Sequence, residues 1–282
     1  MAEAKAGASR IEIPAAQRGS LEETLFEGLG DLEFSSVVSP DGRLLIWVNP
    51  VDVQEALAHL AALGASGLLL FEERNTDWVA ESAALRRAVL VDRYLLDPHD
   101  DDRASSPPPG VRRLYLPAVR AFGTGSHEST RVAVRLLLGE RLTGESVLDV
   151  GCGTGTLAFV AALEGAASVV ALDLDREAAF ATRAQSRANQ VPRVRVFAGP
   201  LDALAASGSF DVVVVNMIHE ETAPLLPALR TRLLPGGRLL CSGQLVEREG
   251  EWAELLRREG FRQVRSIREN EWLGTAWVSA NE

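Results

Sequence analysis

The run Val147-Leu148-Asp149-Val150-Gly151-Cys152-Gly153-Thr154-Gly155 combines an apolar strand, an acid near its end and alternating glycines. A strand that passes through glycines into a helix N-terminus presents backbone N–H groups to a nucleotide-like ligand. Without Cβ atoms, the backbone can approach that ligand closely. The spacing selects among nucleotides. A dinucleotide loop needs glycine at its first, third and sixth positions. Here the sixth position is Thr156, and the third glycine comes early, at Gly155. A phosphate loop needs a Gly-Lys pair, and the only lysine is Lys5. What remains is a G-x-G-x-G loop behind Asp149. Asp173 closes the next apolar run, 22 residues past Gly151, where an acid can accept hydrogen bonds from both ribose hydroxyls. Asp175 reads as a helix N-cap. Asn216 ends the run Phe210 to Val215, and a polar amide on a buried strand is costly unless bonded. Upstream, Ala121-Phe122-Gly123-Thr124-Gly125-Ser126-His127-Glu128-Ser129-Thr130 gathers glycine, hydroxyls and a histidine before a helix.

From Val111 onward, strands and helices alternate in the pattern of an α/β fold. Strands are expected at Val147–Val150, Ser168–Leu172, Val194–Phe197, Asp211–Val215, Arg238–Ser242, Arg262–Ile267 and Thr275–Val278. Helices are expected at Thr130–Leu138, from Asp175 to Asn189, and over Trp252–Glu259 with Gly260 as its stop. The unbroken run Val212 to Val215 suits a strand buried on both faces of a parallel sheet. Ligands of such sheets sit at the carboxyl ends of the strands.

The preceding third reads differently. Ile11–Ile13, Leu32–Val38, Arg43–Val48 and Gly67–Phe71 are strand-like, and Leu21–Leu29 and Pro50–Leu63 are helix-like. The order β-α-β-β-α-β predicts a small ferredoxin-like domain. The expected division is a mobile tail over 1–9, that domain over 10–73, a helical linker over 74–87 and the α/β domain over 88–282. Ala88 to Leu95 reads as one strand. Asp97 to Asp102 and Ser105 to Gly110 read as an exposed, solvated loop.

The chain has 282 residues and a formal charge of −10, which argues against non-specific binding to nucleic acid. It contains no apolar run of membrane-spanning length and no signal-peptide pattern after Met1, so a cytoplasmic protein without membrane partners is expected, and a monomer. Cys152 and Cys241 make no disulfide framework and read as small core residues. His127-Glu128 and His219-Glu220 each begin like a zinc helix. The second histidine would stand at 131 or 223, which are Arg131 and Ala223, so no metal is expected.

The loop behind Asp149 resembles the first motif of the class I S-adenosylmethionine-dependent methyltransferases. The segment Phe122 to Thr130, the glycine loop, Leu172-Asp173-Leu174-Asp175, Asn216, Ser242-Gly243 and Glu271-Trp272 together resemble the PrmA-type enzymes. These act on large-subunit ribosomal protein eleven. The resemblance implies a Rossmann-like seven-stranded sheet, with a small domain that recognises a protein substrate. S-Adenosyl-L-methionine would be the cofactor and S-adenosyl-L-homocysteine the product. The resemblance implicates Phe122, Thr124, Gly125 and Thr130 at the methionine end. It places Asp149, Gly151, Gly153 and Gly155 in the loop, Asp173 at the ribose, and Asn216 at both the methyl group and the acceptor amine. His219 is a candidate base or channel wall. The implied acceptor is an amine of a ribosomal protein. Another protein, a small amine, or a binding module without activity are the alternatives, and a nicotinamide oxidoreductase is disfavoured by Thr156. Ser129, His219-Glu220-Glu221 and Gln244 depart from the family's usual residues, the last two near the expected acceptor channel.

Overall fold

The computed structural model describes residues 8–17, 21, 29, 32, 34–39, 41–48, 51–73, 87–99, 106–117, 127–204 and 210–279. The chain divides into two compact units, Met1–Arg87 and Ala88–Glu282.

The first unit holds strands β1 (Ala8–Ile13), β2 (Phe34–Val38), β3 (Leu44–Val48) and β4 (Leu69–Glu73), with helix α1 (Val53–Ala62) between β3 and β4. The strands pair antiparallel in the order β2-β3-β1-β4, a ferredoxin-like arrangement. Ile11, Ile13, Leu44, Ile46 and Val48 form its core with Val53, Ala56 and Leu60 of α1. These helical positions lie three and four residues apart, on one face. Ala8 and Ser9 belong to β1, so the strand reaches into the stretch expected to be tail. Residues 1–7, most of the helix expected at Leu21–Leu29, and all but Arg87 of the expected linker lie outside the described residues.

The second unit opens with a three-stranded sheet of β5 (Val89–Val91), β6 (Tyr94–Asp97) and β7 (Arg112–Tyr115). The single strand expected over Ala88–Leu95 is instead a hairpin, turned at Asp92 with φ +49°. The expected exposed loop is also corrected at its start. Asp97 is fully buried and His99 nearly so. Arg113 Nε donates to Asp97 Oδ2 at 2.8 Å and the His99 N–H to Oδ1 at 3.0 Å. Paired in this way, a carboxylate can be buried without a prohibitive cost. Residues 100–105 lie outside the described residues.

The main sheet has seven strands: β8 (Ser146–Val150), β9 (Ser168–Asp173), β10 (Val194–Ala198), β11 (Phe210–Asn216), β12 (Leu233–Leu245), β13 (Phe261–Glu269) and β14 (Trp272–Ser279). Their order is β10-β9-β8-β11-β12-β14-β13. All adjacent pairs from β10 to β12 are parallel, and β14 runs antiparallel to both its neighbours. The helices are α2 (Glu128–Leu138), α3 (Thr156–Leu163), α4 (Arg176–Ala188), α5 (His219–Thr222), α6 (Leu226–Thr231) and α7 (Glu249–Arg258).

Side chains alternate along β11 between two cores. Val212 and Val214 pack with Ala133, Val134, Leu136 and Leu137 of α2 and with Leu157 to Ala161 of α3. Val213 and Val215 pack with Leu226 and Leu229 of α6 and with Trp252 and Leu256 of α7. The sheet is thus covered on both sides, which explains the unbroken valine run. Strand order reverses between β8 and β11. A crevice opens at such a switch point, beyond the carboxyl ends of the strands.

Candidate active site

Asp149 and Asn216 come from the two strands that flank the switch point. Asp149 is fully buried. Its Oδ2 accepts from the Ala158 N–H at 3.0 Å, in the first turn of α3. Its Oδ1 is buried without a partner among the described residues. Desolvation dominates and pushes its pKa up to about 7, with Asp173 adding to the rise and the Ala158 bond opposing it. Asp149 is therefore a brace between strand, loop and helix.

The loop over Gly151 to Gly155 bends through three positive-φ glycines. A Cβ at Gly151 would stand 2.6 Å from Met217 Sδ. One at Gly155 would stand 2.6 Å from the Phe159 ring and 2.7 Å from Thr182 Cγ2. The first and last glycines are thus already demanded by the protein's own packing, as well as by any approaching ligand. Thr182 Oγ1 donates to Gly153 O at 2.7 Å and locks the loop to α4. Cys152 and Cys241 are free and buried, and burial raises both thiols.

Asp173 is partly exposed at the end of β9. Its Oδ2 accepts from the Gly153 N–H at 2.8 Å, and its Oδ1 from the Asp175 N–H at 3.0 Å. Each oxygen keeps a second acceptor position, so the carboxylate can still take two hydroxyl donors. Asp175 caps α4 by accepting from the Glu177 N–H at 2.8 Å.

Asn216 falls on the α2 side of β11, in step with Val212 and Val214. Its Nδ2 lies 3.4 Å from Thr130 Oγ1, in the first turn of α2. Its Oδ1 is buried with no partner among the described residues. Ser242, opposite Asn216 on β12, donates from Oγ to Ser129 O at 2.8 Å and straps the start of α2 to the sheet. His127 caps that helix: Nδ1 accepts from the Ser129 N–H at 3.2 Å. Its ring meets Trp272 edge-on with centroids 4.6 Å apart. Desolvation lowers its pKa, so it stands neutral at pH 7.

His219 lies apart from this group. Its ring meets Trp252 edge-on at 5.3 Å, and Nε2 is 3.8 Å from Glu251 Oε1. Its Nδ1 is buried with no partner among the described residues. Phe122, Thr124 and Gly125 lie outside the described residues. Among the described residues, no group of three or more His, Cys, Asp or Glu is placed to hold a metal ion, and no helix is long and apolar enough to cross a membrane. Pattern reading missed Met217 and Thr222. A methionine directly after the key asparagine was the available signal.

The model of the family "Ribosomal protein L11 methyltransferase (PrmA)" matches residues 54–278. The chain belongs to this family. The ribosomal protein L11 methyltransferase of Methylococcus capsulatus is 40% identical over 254 residues, covering 85% of each chain. That of Azotobacter vinelandii is 33% identical over 262 residues, covering 86% of this chain and 88% of its own. The crystal structure of a ribosomal protein L11 methylase from Lactobacillus delbrueckii subsp. bulgaricus shares the fold. Its TM-score is 0.64 at 24% identity, covering 70% of this chain and all of its own.

As a member of the L11 methyltransferase family, the chain is an S-adenosylmethionine-dependent protein methyltransferase with a class I sheet. The residues present fit that cofactor. The partly exposed Asp173 keeps lone pairs for a ribose, the glycine loop bends through positive φ at the carboxyl end of β8, and Asn216 offers an oxygen unsatisfied among the described residues.

Proposed function

We propose that this methyltransferase places methyl groups on amino groups of ribosomal protein L11, a lysine side chain or the N-terminus. Bound S-adenosylmethionine supplies the methyl group on a sulfonium, which is already an activated leaving group. The protein's remaining task is to bring a neutral amine in line with it. A free lysine has a pKa of about 10.4, so only about one part in 10³ is neutral at pH 7. A desolvated approach favours the neutral form.

The observation that carries this reading is the buried, unpartnered Asn216 Oδ1 at the end of β11. Among the described residues it is an acceptor without a donor, next to the strand that feeds the glycine loop. An amine N–H would satisfy it and turn the nitrogen lone pair toward the methyl group. Asp173 would take the ribose hydroxyls, with Gly151, Gly153 and Gly155 shaping the floor. Thr130 would close the methionine end with Phe122, Thr124 and Gly125, and Asp149 would hold the loop. His219 is assigned a wall, because its ring packs on Trp252 and its Nε2 faces Glu251. The ferredoxin-like unit over 10–73 would recognise the protein substrate, and 74–87 would carry it to the site. No step calls for a metal ion.

The test is methyl transfer from labelled cofactor to purified L11, with other ribosomal proteins and free lysine as competing acceptors. Mass spectrometry should find added 14 Da increments on L11 amines, each being one methyl group. Labelling of another acceptor in preference to L11 would refute the substrate, and the absence of any amine product would refute the reaction.

A further inference from the structure

Beyond Asn216, the chain is clamped in a way that the transfer chemistry does not require. The next residue, Met217, has its carbonyl oxygen bonded twice. Gln244 Nε2 donates to it at 2.9 Å and Thr222 Oγ1 at 3.1 Å. The Thr222 hydroxyl also reaches Ile218 O at 2.9 Å. Its one proton is therefore shared, and the Gln244 amide is the committed donor. Gln244 is 1% exposed, and its Oε1 is buried with no partner among the described residues. An unpaired buried oxygen costs stability; an apolar side chain of similar size would remove that cost but leave Met217 O to the shared Thr222 hydroxyl, so the two changes offset. The fold carries the amide for one bond, Nε2 to Met217 O.

Two further contacts converge on the same residue. At Gly243, φ is +85°, and a Cβ would fall 2.6 Å from Met217 O and 2.8 Å from its carbonyl carbon. Strand β12 therefore passes hard against this peptide. From the other end of the residue, Met217 Sδ occupies the space a Cβ on Gly151 would need. One residue thus adjoins Asn216 through its backbone and touches the cofactor loop through its thioether.

We propose that Gln244 is a positioning residue: by holding the Met217 carbonyl it fixes the aim of Asn216 and the seat of the thioether on the loop. This rests on the role given to Asn216 under the proposed function. The test compares Gln244→Leu and Gln244→Glu with the wild type in the full chain, on the acceptor found above. Gln244→Leu should lower kcat about tenfold, while S-adenosylhomocysteine affinity stays within about twofold and Tm stays within a few degrees. Amide hydrogen exchange at 217–222 should quicken, a readout that needs no acceptor.

In Gln244→Glu the carboxylate cannot donate to Met217 O, but the protonated acid can. Burial raises the carboxyl pKa, so kcat relative to wild type should recover as pH falls. That trend opposes the loss expected of a lysine acceptor as it protonates. The proposal is overturned if Gln244→Leu keeps wild-type kcat or exchange, if kcat and Tm fall together, or if the Gln244→Glu ratio is flat with pH. Asn216→Ala, run in parallel, separates the two ideas. A dead Asn216→Ala beside a normal Gln244→Leu sinks only the clamp, whereas an active Asn216→Ala sinks the role of Asn216 itself.

Discussion

At the ends of β8 and β9 the polar groups close on one another, whereas at the end of β11 they are left open. On the first side, Asp173 accepts two backbone N–H bonds, Asp149 braces α3 through one oxygen while the other is unpartnered among the described residues, and Thr182 bonds the loop. On the second, Asn216 Oδ1 and Gln244 Oε1 are buried and unpartnered among the described residues. A region that satisfies itself is pre-organised to bind, with little left to reorder when a ligand arrives. An acceptor such as Asn216 Oδ1, unsatisfied among the described residues, is free to take a donor from a substrate. Cofactor affinity and transfer chemistry should therefore be separable by mutation along one sheet edge.

The sharpest break in that comparison is Asn216→Ala. It removes the open acceptor but leaves Asp173 and the glycine loop intact. Turnover should fall by about 10²- to 10³-fold, the usual cost of losing a positioned polar group at a reacting centre. S-Adenosylhomocysteine affinity by calorimetry should stay within about threefold. Equal losses in both would mean that the two sides are one unit.

Asp173→Ala is the reciprocal case and a smaller effect. It deletes the acceptors assigned to the ribose and releases the Gly153 N–H. Two charge-assisted hydrogen bonds would be lost, an expected affinity loss of about 10²-fold. With saturating cofactor, kcat should fall by less than about fivefold. Unchanged affinity would move the ribose elsewhere.

The same contrast explains which parts were legible in the sequence. The loop, Asp173 and the valine strand before Asn216 are local patterns, each written within a few residues by strand period and turn chemistry. The two-sided burial of β11 follows from Val212 to Val215 alone. The hairpin at Asp92 was not legible, because its positive-φ residue is an aspartate and not the glycine that usually marks such a turn. The burial of Asp97 depends on Arg113, which arrives from the third strand of that sheet. The bond from Gln244 to Met217 joins β12 to the residue just past the end of β11, 27 residues away. Non-local satisfaction of polar groups has no period to betray it. The same reason hid the turn of His219 toward Trp252, since composition near Asn216 says nothing about which core a side chain joins.

Asp149 is the one group on the closed side that is only half satisfied, and it yields the smallest effect and the finest test. Its folded pKa is raised to about 7 from an ordinary 3.8, chiefly by burial. A group raised in the folded state binds its proton more tightly there than in the unfolded chain. Its contribution is therefore fully present below about pH 3.8 and is lost as pH rises through about 7. Between pH 5 and pH 8 the folded protein should lose on the order of 2 kcal/mol from this residue. His127 pulls the other way. Its lowered pKa makes it cost stability as pH falls below about 6.5. Asp149→Asn should remove the first slope and leave the second. It keeps a side-chain oxygen for the Ala158 N–H, so the brace survives. Denaturant titrations across that range should show a variant whose stability no longer falls as pH rises and exceeds that of wild type at pH 8. A variant as pH-dependent as wild type would mean that Asp149 stays ionised when buried, and the closed side would then be held by charge instead of by a shared proton.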